Sequence, residues 1–294
     1  MYAVIGGSGF LGRYAVKNIL EKTTDDVIVC ARNNEGDFSD SRVSVMQCDI
    51  ADREQFSSVA DRLFELGGEE LKVIFLAAYH HPELVAKDPA FAWGINVTAL
   101  SECVTRLRGA KRLFYSSTDS VYGNSEESYA FKETDQLSPV NEYGRQKAAA
   151  EAVVRFSGFN VVRFPFLISP SLVPGREHFY DRLCASLRAG EEIKMFSDSY
   201  RSSLTFDRAA GLMIDLCELD EQPAAVMNVC GDRGLSKYDV GLLIADKIGA
   251  DRGLVRPIKM AEDKEFSKGR ALSTLMDNSL LKRTLGLDEI TLEL

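Results

Sequence analysis

Tyr143 and Lys147 stand four positions apart in the run Tyr143-Gly-Arg-Gln-Lys147, and Thr118 lies 25 positions before Tyr143. On a helix, that spacing puts the phenol and the ammonium on one face. An ammonium beside a phenol favours phenolate and lowers the phenol pKa, which makes Tyr143 a usable general acid at neutral pH. Thr118 can supply a hydroxyl hydrogen bond to the same substrate oxygen. A Tyr-x-x-x-Lys spacing by itself also fits a tyrosine packed on a surface helix, so its meaning depends on what surrounds it.

A second group could hold a nucleotide. The run Tyr2-Ala-Val-Ile-Gly6-Gly-Ser-Gly9-Phe10-Leu11-Gly12 ends a short apolar stretch in a turn and opens a helix. Gly6, Gly9 and Gly12 permit a sharp turn and close backbone approach to a pyrophosphate, whose charge the helix N-terminal N–H groups then hold. A plain strand-turn-helix junction would look similar, but the position after the first strand of a repeated rhythm favours a dinucleotide. An NAD site usually carries an acidic residue at the end of the second strand; this chain has Ala31-Arg32. A guanidinium matches a 2′-phosphate, so Arg32 favours NADP(H) while leaving NAD(H) open, and it could equally be a solvated arginine following a strand. Asp49, in Gln47-Cys-Asp49-Ile50, is placed to accept a hydrogen bond from the adenine amino group, or else to cap the next helix.

These residues need a scaffold. Short apolar runs recur at 2–5, 27–31, 43–47, 73–77, 112–116 and 161–164, too continuous to be half exposed, which predicts buried parallel strands. Segments with helical periodicity lie between them at 9–22, 53–66, 90–107 and 142–156. The alternation predicts an α/β fold, a Rossmann-type doubly wound parallel sheet. Such sheets place ligands at the carboxyl ends of their strands, where His80-His81-Pro82 follows the fourth; one histidine can line a substrate pocket there. After Phe166 the rhythm loosens, with Pro165, Pro170 and Pro174 close together. Helices are expected near 178–189, 207–218 and 237–248, with short strands near 227–230 and 255–258. Residues 1–165 read as an NADP-binding domain, and 166–294 as a smaller α/β substrate-binding region built onto the same sheet.

The chain has 294 residues, enough for one large or two intimately packed domains. Its 35 Lys and Arg against 44 Asp and Glu give −9, which lacks the broad basic footprint of a nucleic-acid or anionic-membrane binder. An anionic small molecule, met locally by arginine, stays compatible with that charge. Six cysteines are scattered without a Cys-x-x-Cys pair and read as reduced thiols; three histidines give no metal-ligand spacing, so no metal is expected. No run of 18 apolar residues occurs, and the glycine motif begins at Gly6 with no room for a signal peptide ahead of it, so a cytoplasmic location is expected.

Together these motifs resemble the extended short-chain dehydrogenase/reductase family over essentially the whole chain. The resemblance rests on the glycine-rich turn, Asp49-Ile50, Leu76-Ala-Ala78, Asn96 in Gly94-Ile-Asn-Val, Ser117-Thr118 ahead of Val121-Tyr-Gly123, and Tyr143-x-x-x-Lys147. It implies that Tyr143 is the catalytic acid/base, that Thr118 holds the family's Ser/Thr position, and that Lys147 holds the nicotinamide ribose and tunes Tyr143. It also implies that Gly6, Gly9, Phe10, Leu11, Gly12, Arg32, Asp49, Ile50, Ala77, Ala78 and Tyr79 meet the cofactor. Asn96 would be a supporting residue, or a purely structural one. Ile5 departs from the Thr that many relatives carry before the first glycine.

Family members reduce, epimerise or dehydrate. The 4,6-dehydratases look like Thr-Asp-Glu where this chain has Thr118-Asp119-Ser120, and without the Glu no base is evident for proton removal at the sugar's C5. The chain is similar instead to dTDP-4-dehydrorhamnose reductases, including a segment like Arg-Pro-x-x-x-x-Leu-Asp. Here it reads Arg270-Ala-Leu-Ser-Thr-Leu275-Met-Asp277, with Ala271 in place of Pro and Met276 directly before the Asp. Arg201 and Arg270 could bind a substrate diphosphate or sit in surface ion pairs; Arg163, inside a strand, reads as structural. His80 and Asp119 complete the candidate substrate contacts. The expected function is NADP(H)-dependent reduction of a carbonyl, on a nucleotide-linked 4-keto sugar. The alternatives are an NAD-dependent sugar-nucleotide epimerase and a non-catalytic NADP-binding regulatory subunit like that of methionine adenosyltransferase. The resemblance further implies a homodimer through helices 90–107 and 142–156. Pocket shape is expected from the loops around 79–90, 124–137 and 170–202.

Overall fold

The computed structural model describes residues 1–32, 38–125, 129–263 and 269–294. The first half contains β1 (Tyr2–Ile5), α1 (Phe10–Lys22), β2 (Val27–Ala31), β3 (Val43–Gln47), α2 (Arg53–Gly67) and β4 (Lys72–Phe75). It continues with α3 (Pro82–Lys87), α4 (Pro89–Trp93), α5 (Leu100–Arg106), β5 (Arg112–Thr118), α6 (Glu142–Phe156) and β6 (Asn160–Phe164). Beyond these come α7 (Phe179–Arg188), β7 (Ile193–Phe196), β8 (Tyr200–Arg201), α8 (Phe206–Cys217) and β9 (Val226–Asn228). The chain closes with β10 (Leu235–Ser236), α9 (Lys237–Ile248), β11 (Val255–Ile258) and a short helix at Ser279–Leu285.

Seven of the described strands form one parallel sheet in the order β3-β2-β1-β4-β5-β6-β9. Its strands β1 and β2 are apolar along their whole length because helices cover both faces. On one face α1 and α8 bury Tyr14, Ile19, Met213 and Ile214 against the strands; on the other α2, α5 and α6 bury Phe56, Leu63, Leu100 and Val154. The strand order reverses between β1 and β4, which opens a crevice at their carboxyl ends. The seventh strand and the covering helix α8 both come from beyond residue 165. A separate core of Ile168, Tyr180, Leu183, Val240 and Ile244 holds α7 and α9 together.

Several expectations need correction. β3 was expected to be buried, yet Ser44, Val45 and Gln47 are exposed, because β3 is an edge strand and has a neighbour on one side only. The helix expected at 90–107 is broken by a π turn at Gly94–Ala99 between α4 and α5. β5 runs two residues further than its apolar stretch, to Thr118. The strands β7, β8 and β10 were not expected; β8 and β10, at two residues each, carry no measurable period. They lie outside the main sheet, β7 parallel to β11 and β8 antiparallel to β10.

Candidate active site

The helix that opens at the glycine-rich turn starts unlike its neighbours. α1 has Gly9 at its N-cap, no capping side chain and no acidic residue in its first turn. By contrast α2, α6 and α8 are capped by Asp52, Asn141 and Thr205 and begin with Glu54, Glu142 and Asp207. The α1 terminus therefore presents N–H groups and the positive end of its dipole at the crevice, which fits an anionic diphosphate. A Cβ on Gly12 would lie 2.3 Å from the Gly6 carbonyl oxygen, so only glycine lets α1 press onto the turn. Leu11 packs against the core, while the Phe10 ring meets His178 edge-on at 4.8 Å and lies 5.3 Å below the Arg176 guanidinium.

Arg32 is exposed directly after β2; residues 33–37 that follow lie outside the described residues, as do 126–128 of the 124–137 loop. Asp49 does not cap α2, a role that Asp52 takes. One Asp49 oxygen instead accepts from the Ala51 N–H at 3.0 Å, with Ile50 packed against the core beside it. Ala77, Ala78 and Tyr79 are half-buried after β4. Asn96, in the π turn, accepts from the Tyr79 N–H (2.9 Å) and donates to the Tyr79 carbonyl (3.1 Å) and to Gln146 Oε1 (3.0 Å). It thus ties the end of β4 to α6 beside Lys147. Nothing in the sequence marked the π turn, a feature common at functional sites.

Asn141 caps α6, and a Cβ on the next-turn Gly144 would lie 2.5 Å from the Ser120 carbonyl oxygen. That close approach brings Tyr143 against the 3₁₀ turn Asp119–Val121. Lys147 is 3% exposed; its Nζ donates to the Ser116 carbonyl at 2.5 Å and lies 4.1 Å from the Tyr115 ring centroid. Burial lowers its pKa to about 7, opposed by the Glu151 carboxylate one turn on. The expected lowering of the Tyr143 pKa is not found. Burial, and then the charge of Asp119, push the phenol well above its ordinary value. The physical reason is first the burial of the phenol; in addition the Lys147 amine is drawn to Ser116 and the Tyr115 face, so that a carboxylate is the charge that acts on the phenol.

The Thr118 hydroxyl donates to Asp119 Oδ1 (3.0 Å) and accepts from the Ser120 N–H (3.2 Å). Asp119 is buried; its Oδ2 accepts from Thr274 Oγ1 at 2.5 Å and pairs with Arg201 Nε at 3.2 Å. Arg201 also donates through Nη1 to the carbonyls of Tyr200 (2.7 Å) and Leu272 (3.0 Å), and through Nη2 to Ala271 (2.8 Å). Arg270 pairs with Glu83. The two arginines sense each other, since burial and then Arg270 depress the Arg201 pKa. Lys237, which the sequence reading missed, joins them: burial, Arg270 and Arg201 bring its pKa to about 8. His80, in the segment after β4, is exposed. Its imidazolium is disfavoured by the protein packed around it and by His81, whose ring centroid is 4.3 Å away, with Lys147 and Arg176 adding to the effect.

Behind the site, Arg163 is fully buried and structural. It donates to both Glu151 oxygens (2.9 and 2.6 Å) and to the Tyr122 hydroxyl (2.7 Å), while Ser117 also donates to Glu151. Among the described residues no group of His, Cys, Asp or Glu could hold a metal ion, and no helix is long and apolar enough to cross a membrane.

A doubly wound sheet with an uncapped helix at its switch point, and Tyr143 and Lys147 on the helix facing Thr118, defines an extended short-chain dehydrogenase/reductase. The chain is an enzyme of that type. The family model for the RmlD substrate binding domain matches residues 2–291, and the chain belongs to that family. It is 26% identical over 303 residues to the probable low-salt glycan biosynthesis reductase Agl14 of Haloferax volcanii, covering 100% of this chain and 95% of that one. The solved dTDP-glucose 4,6-dehydratase DesIV of Streptomyces venezuelae, with NAD and TYD bound, gives a TM-score of 0.79 at 22% identity. That match covers 99% of this chain and 92% of the other. The dTDP-4-dehydrorhamnose reductase of Bacillus anthracis, solved with NADP, also gives 0.79, at 18% identity over 98% of this chain and 94% of its own. Both likenesses show the fold, and they span two reactions and two cofactors, so the choice between them falls to particular residues.

Proposed function

We propose that the protein is an NADP(H)-dependent reductase of a nucleotide-linked 4-keto sugar. The observation that carries this reading is the turn Thr118-Asp119-Ser120 against which α6 packs beside Tyr143: it offers a hydroxyl at Thr118 and, at Ser120, no second carboxylate for an elimination. When bound, the reduced nicotinamide supplies the hydride. Tyr143 then protonates the carbonyl oxygen, and Thr118 turns its hydroxyl from Asp119 toward the same oxygen. Lys147, anchored by Ser116, holds the ribose hydroxyls. Gly6, Gly9 and Gly12, with the N–H groups of Phe10 and Leu11, hold the cofactor diphosphate. Ala77, Ala78 and Tyr79 line the nicotinamide half, Asp49 and Ile50 the adenine, and Arg32 takes the 2′-phosphate.

The carboxylate chemistry of a dehydratase is missing, since Ser120 follows Asp119. The reductase relative and the family membership point the same way. Residues 1–165 supply the cofactor half and 166–294 most of the substrate half. We place the enzyme in the cytoplasm, as a homodimer through the helices at 90–107 and 142–156; Phe91 and Trp93, exposed at 48% and 44%, would be covered there. The test is oxidation of NADPH against a panel of keto-sugar nucleotides and simple ketones. Turnover confined to keto-sugar nucleotides supports the reading. No oxidation with any of them, together with a stoichiometric complex with a second enzyme, would favour a regulatory subunit instead.

A further inference from the structure

Asp119 is a carboxylate with 5% of its surface exposed, in the short turn that follows Thr118. A carboxylate is kept in such a place when donors hold its oxygens. The two oxygens are held from different parts of the chain. Oδ1 accepts from the Thr118 hydroxyl at 3.0 Å, with the Ser120 hydroxyl farther off at 3.4 Å. Oδ2 accepts from the Thr274 hydroxyl at 2.5 Å and pairs with Arg201 Nε at 3.2 Å. A carboxylate is planar, so fixing Oδ2 from two directions also fixes where Oδ1 lies. The place of Oδ1 then decides where the Thr118 hydroxyl is drawn.

The two residues on Oδ2 are not equivalent. Arg201 also donates to the carbonyls of Tyr200, Leu272 and Ala271, so it builds the segment as well as holding Asp119. Thr274 is 1% exposed, and the printed bond of its hydroxyl goes to Asp119 alone. The backbone around it is fastened by other groups. The Thr274 N–H donates to the Tyr200 carbonyl at 3.2 Å, and the N–H groups of Leu272 and Ser273 both donate to Asn124 Oδ1, at 2.8 and 3.1 Å. The Ser125 N–H closes the same junction on the Ser273 carbonyl at 3.0 Å. Removing the Thr274 hydroxyl therefore leaves the segment seated and takes one charge-assisted bond from Asp119.

We propose that Thr274 is a positioning residue: its hydroxyl fixes the Asp119 carboxylate, which in turn holds the Thr118 hydroxyl in place for the substrate oxygen. The catalytic half of this statement rests on the reductase reading; the geometric half does not. The test joins crystal structures of ligand-free wild type, Thr274→Val and Thr274→Ser to a double-mutant cycle in kcat with Thr118→Val. Turnover is measured with NADPH and the keto-sugar nucleotide that wild type reduces fastest. Thr274→Ala replaces Thr274→Val if the latter does not fold. In Thr274→Val, Asp119 is expected to rotate and Thr118 to leave hydrogen-bond distance of Oδ1; in Thr274→Ser both stay. Thr274→Val should lower kcat by about tenfold with NADPH affinity within about twofold, and Thr274→Ser should stay within about twofold of wild type. In the Thr118→Val background the same Thr274→Val change should cost less than about twofold, because the hydroxyl it serves is gone.

A Thr118–Asp119 bond that persists in Thr274→Val would overturn the proposal. So would equal losses of kcat with and without the Thr118 hydroxyl, or a Thr274→Ser protein as slow as Thr274→Val. If the bond is lost as expected but wild type oxidises NADPH with no keto-sugar nucleotide, the reductase reading fails and the placement of Thr118 by Thr274 stands.

Discussion

The two walls of the cleft prepare for charge in different ways. On the α1 wall the backbone does it: an uncapped helix start, no acidic residue in the first turn, and a glycine where a Cβ would strike the Gly6 carbonyl. On the opposite wall the side chains are already engaged with one another, Thr118 and Thr274 with Asp119, Asp119 with Arg201, and Arg270 with Glu83. A backbone site is ready before its ligand arrives, because its donors have nowhere else to turn. A side-chain site must trade internal partners for the ligand, which costs affinity and offers selectivity in return.

The largest expected break in this comparison is at Tyr143. Tyr143→Phe is expected to lower kcat by about 10²- to 10⁴-fold, since general acid catalysis contributes that much, and to leave NADPH affinity on the α1 wall unchanged. Full turnover in a folded Tyr143→Phe protein sinks the mechanism.

Next comes the buried pair behind the side-chain wall. Glu151→Gln strands the Arg163 guanidinium, which is 1% exposed, and should cost about 3–5 kcal/mol in denaturant unfolding. It also removes the carboxylate that favours the Lys147 ammonium. Where turnover requires that ammonium, the alkaline limb of the kcat/KM profile should move to lower pH. A loss of stability with an unmoved limb would leave Glu151 a structural residue only.

Lys147 sharpens the comparison through pH. Its folded pKa is about 7 against 10.5 for an ordinary lysine, so between those values the unfolded chain binds more protons than the folded one. Unfolding free energy from this group therefore rises with pH across that window. Lys147→Met should flatten the rise, and gain most over wild type below pH 7, at the expense of activity. Parallel stability–pH curves for the two proteins would contradict the burial described for Lys147.

The smallest effect is expected at Arg32, a side chain on the wall otherwise served by backbone. Arg32→Ala should lower the preference for NADPH over NADH by about tenfold, mostly through weaker NADPH binding. An unchanged ratio removes Arg32 from the 2′-phosphate.

The same contrast governs what the sequence made legible. The glycine turn, the buried central strands and the Thr118, Tyr143 and Lys147 spacing were readable because each is a local requirement of backbone or helix geometry. The fold class followed from them. The exposure of β3 was not readable, since an apolar run does not announce that it lies at an edge. Nor was the Asp119–Thr274 bond, which joins residues 155 positions apart. Lys147 illustrates the limit: its position on α6 was legible, but the Ser116 carbonyl that claims its ammonium is known only once β5 and α6 are packed. Lys237 escaped for a related reason, because β8 and β10 that bring it beside Arg201 are each two residues long.

The most direct test of the central claim follows the hydride itself. The protein is given NADPH deuterated at the transferable position of the nicotinamide, together with dTDP-4-dehydrorhamnose, and the sugar product is isolated and analysed by NMR. The account predicts one deuterium at C4 for each NADPH consumed, with none recovered in the cofactor. Product formed without net NADPH consumption, or without label at C4, would contradict it.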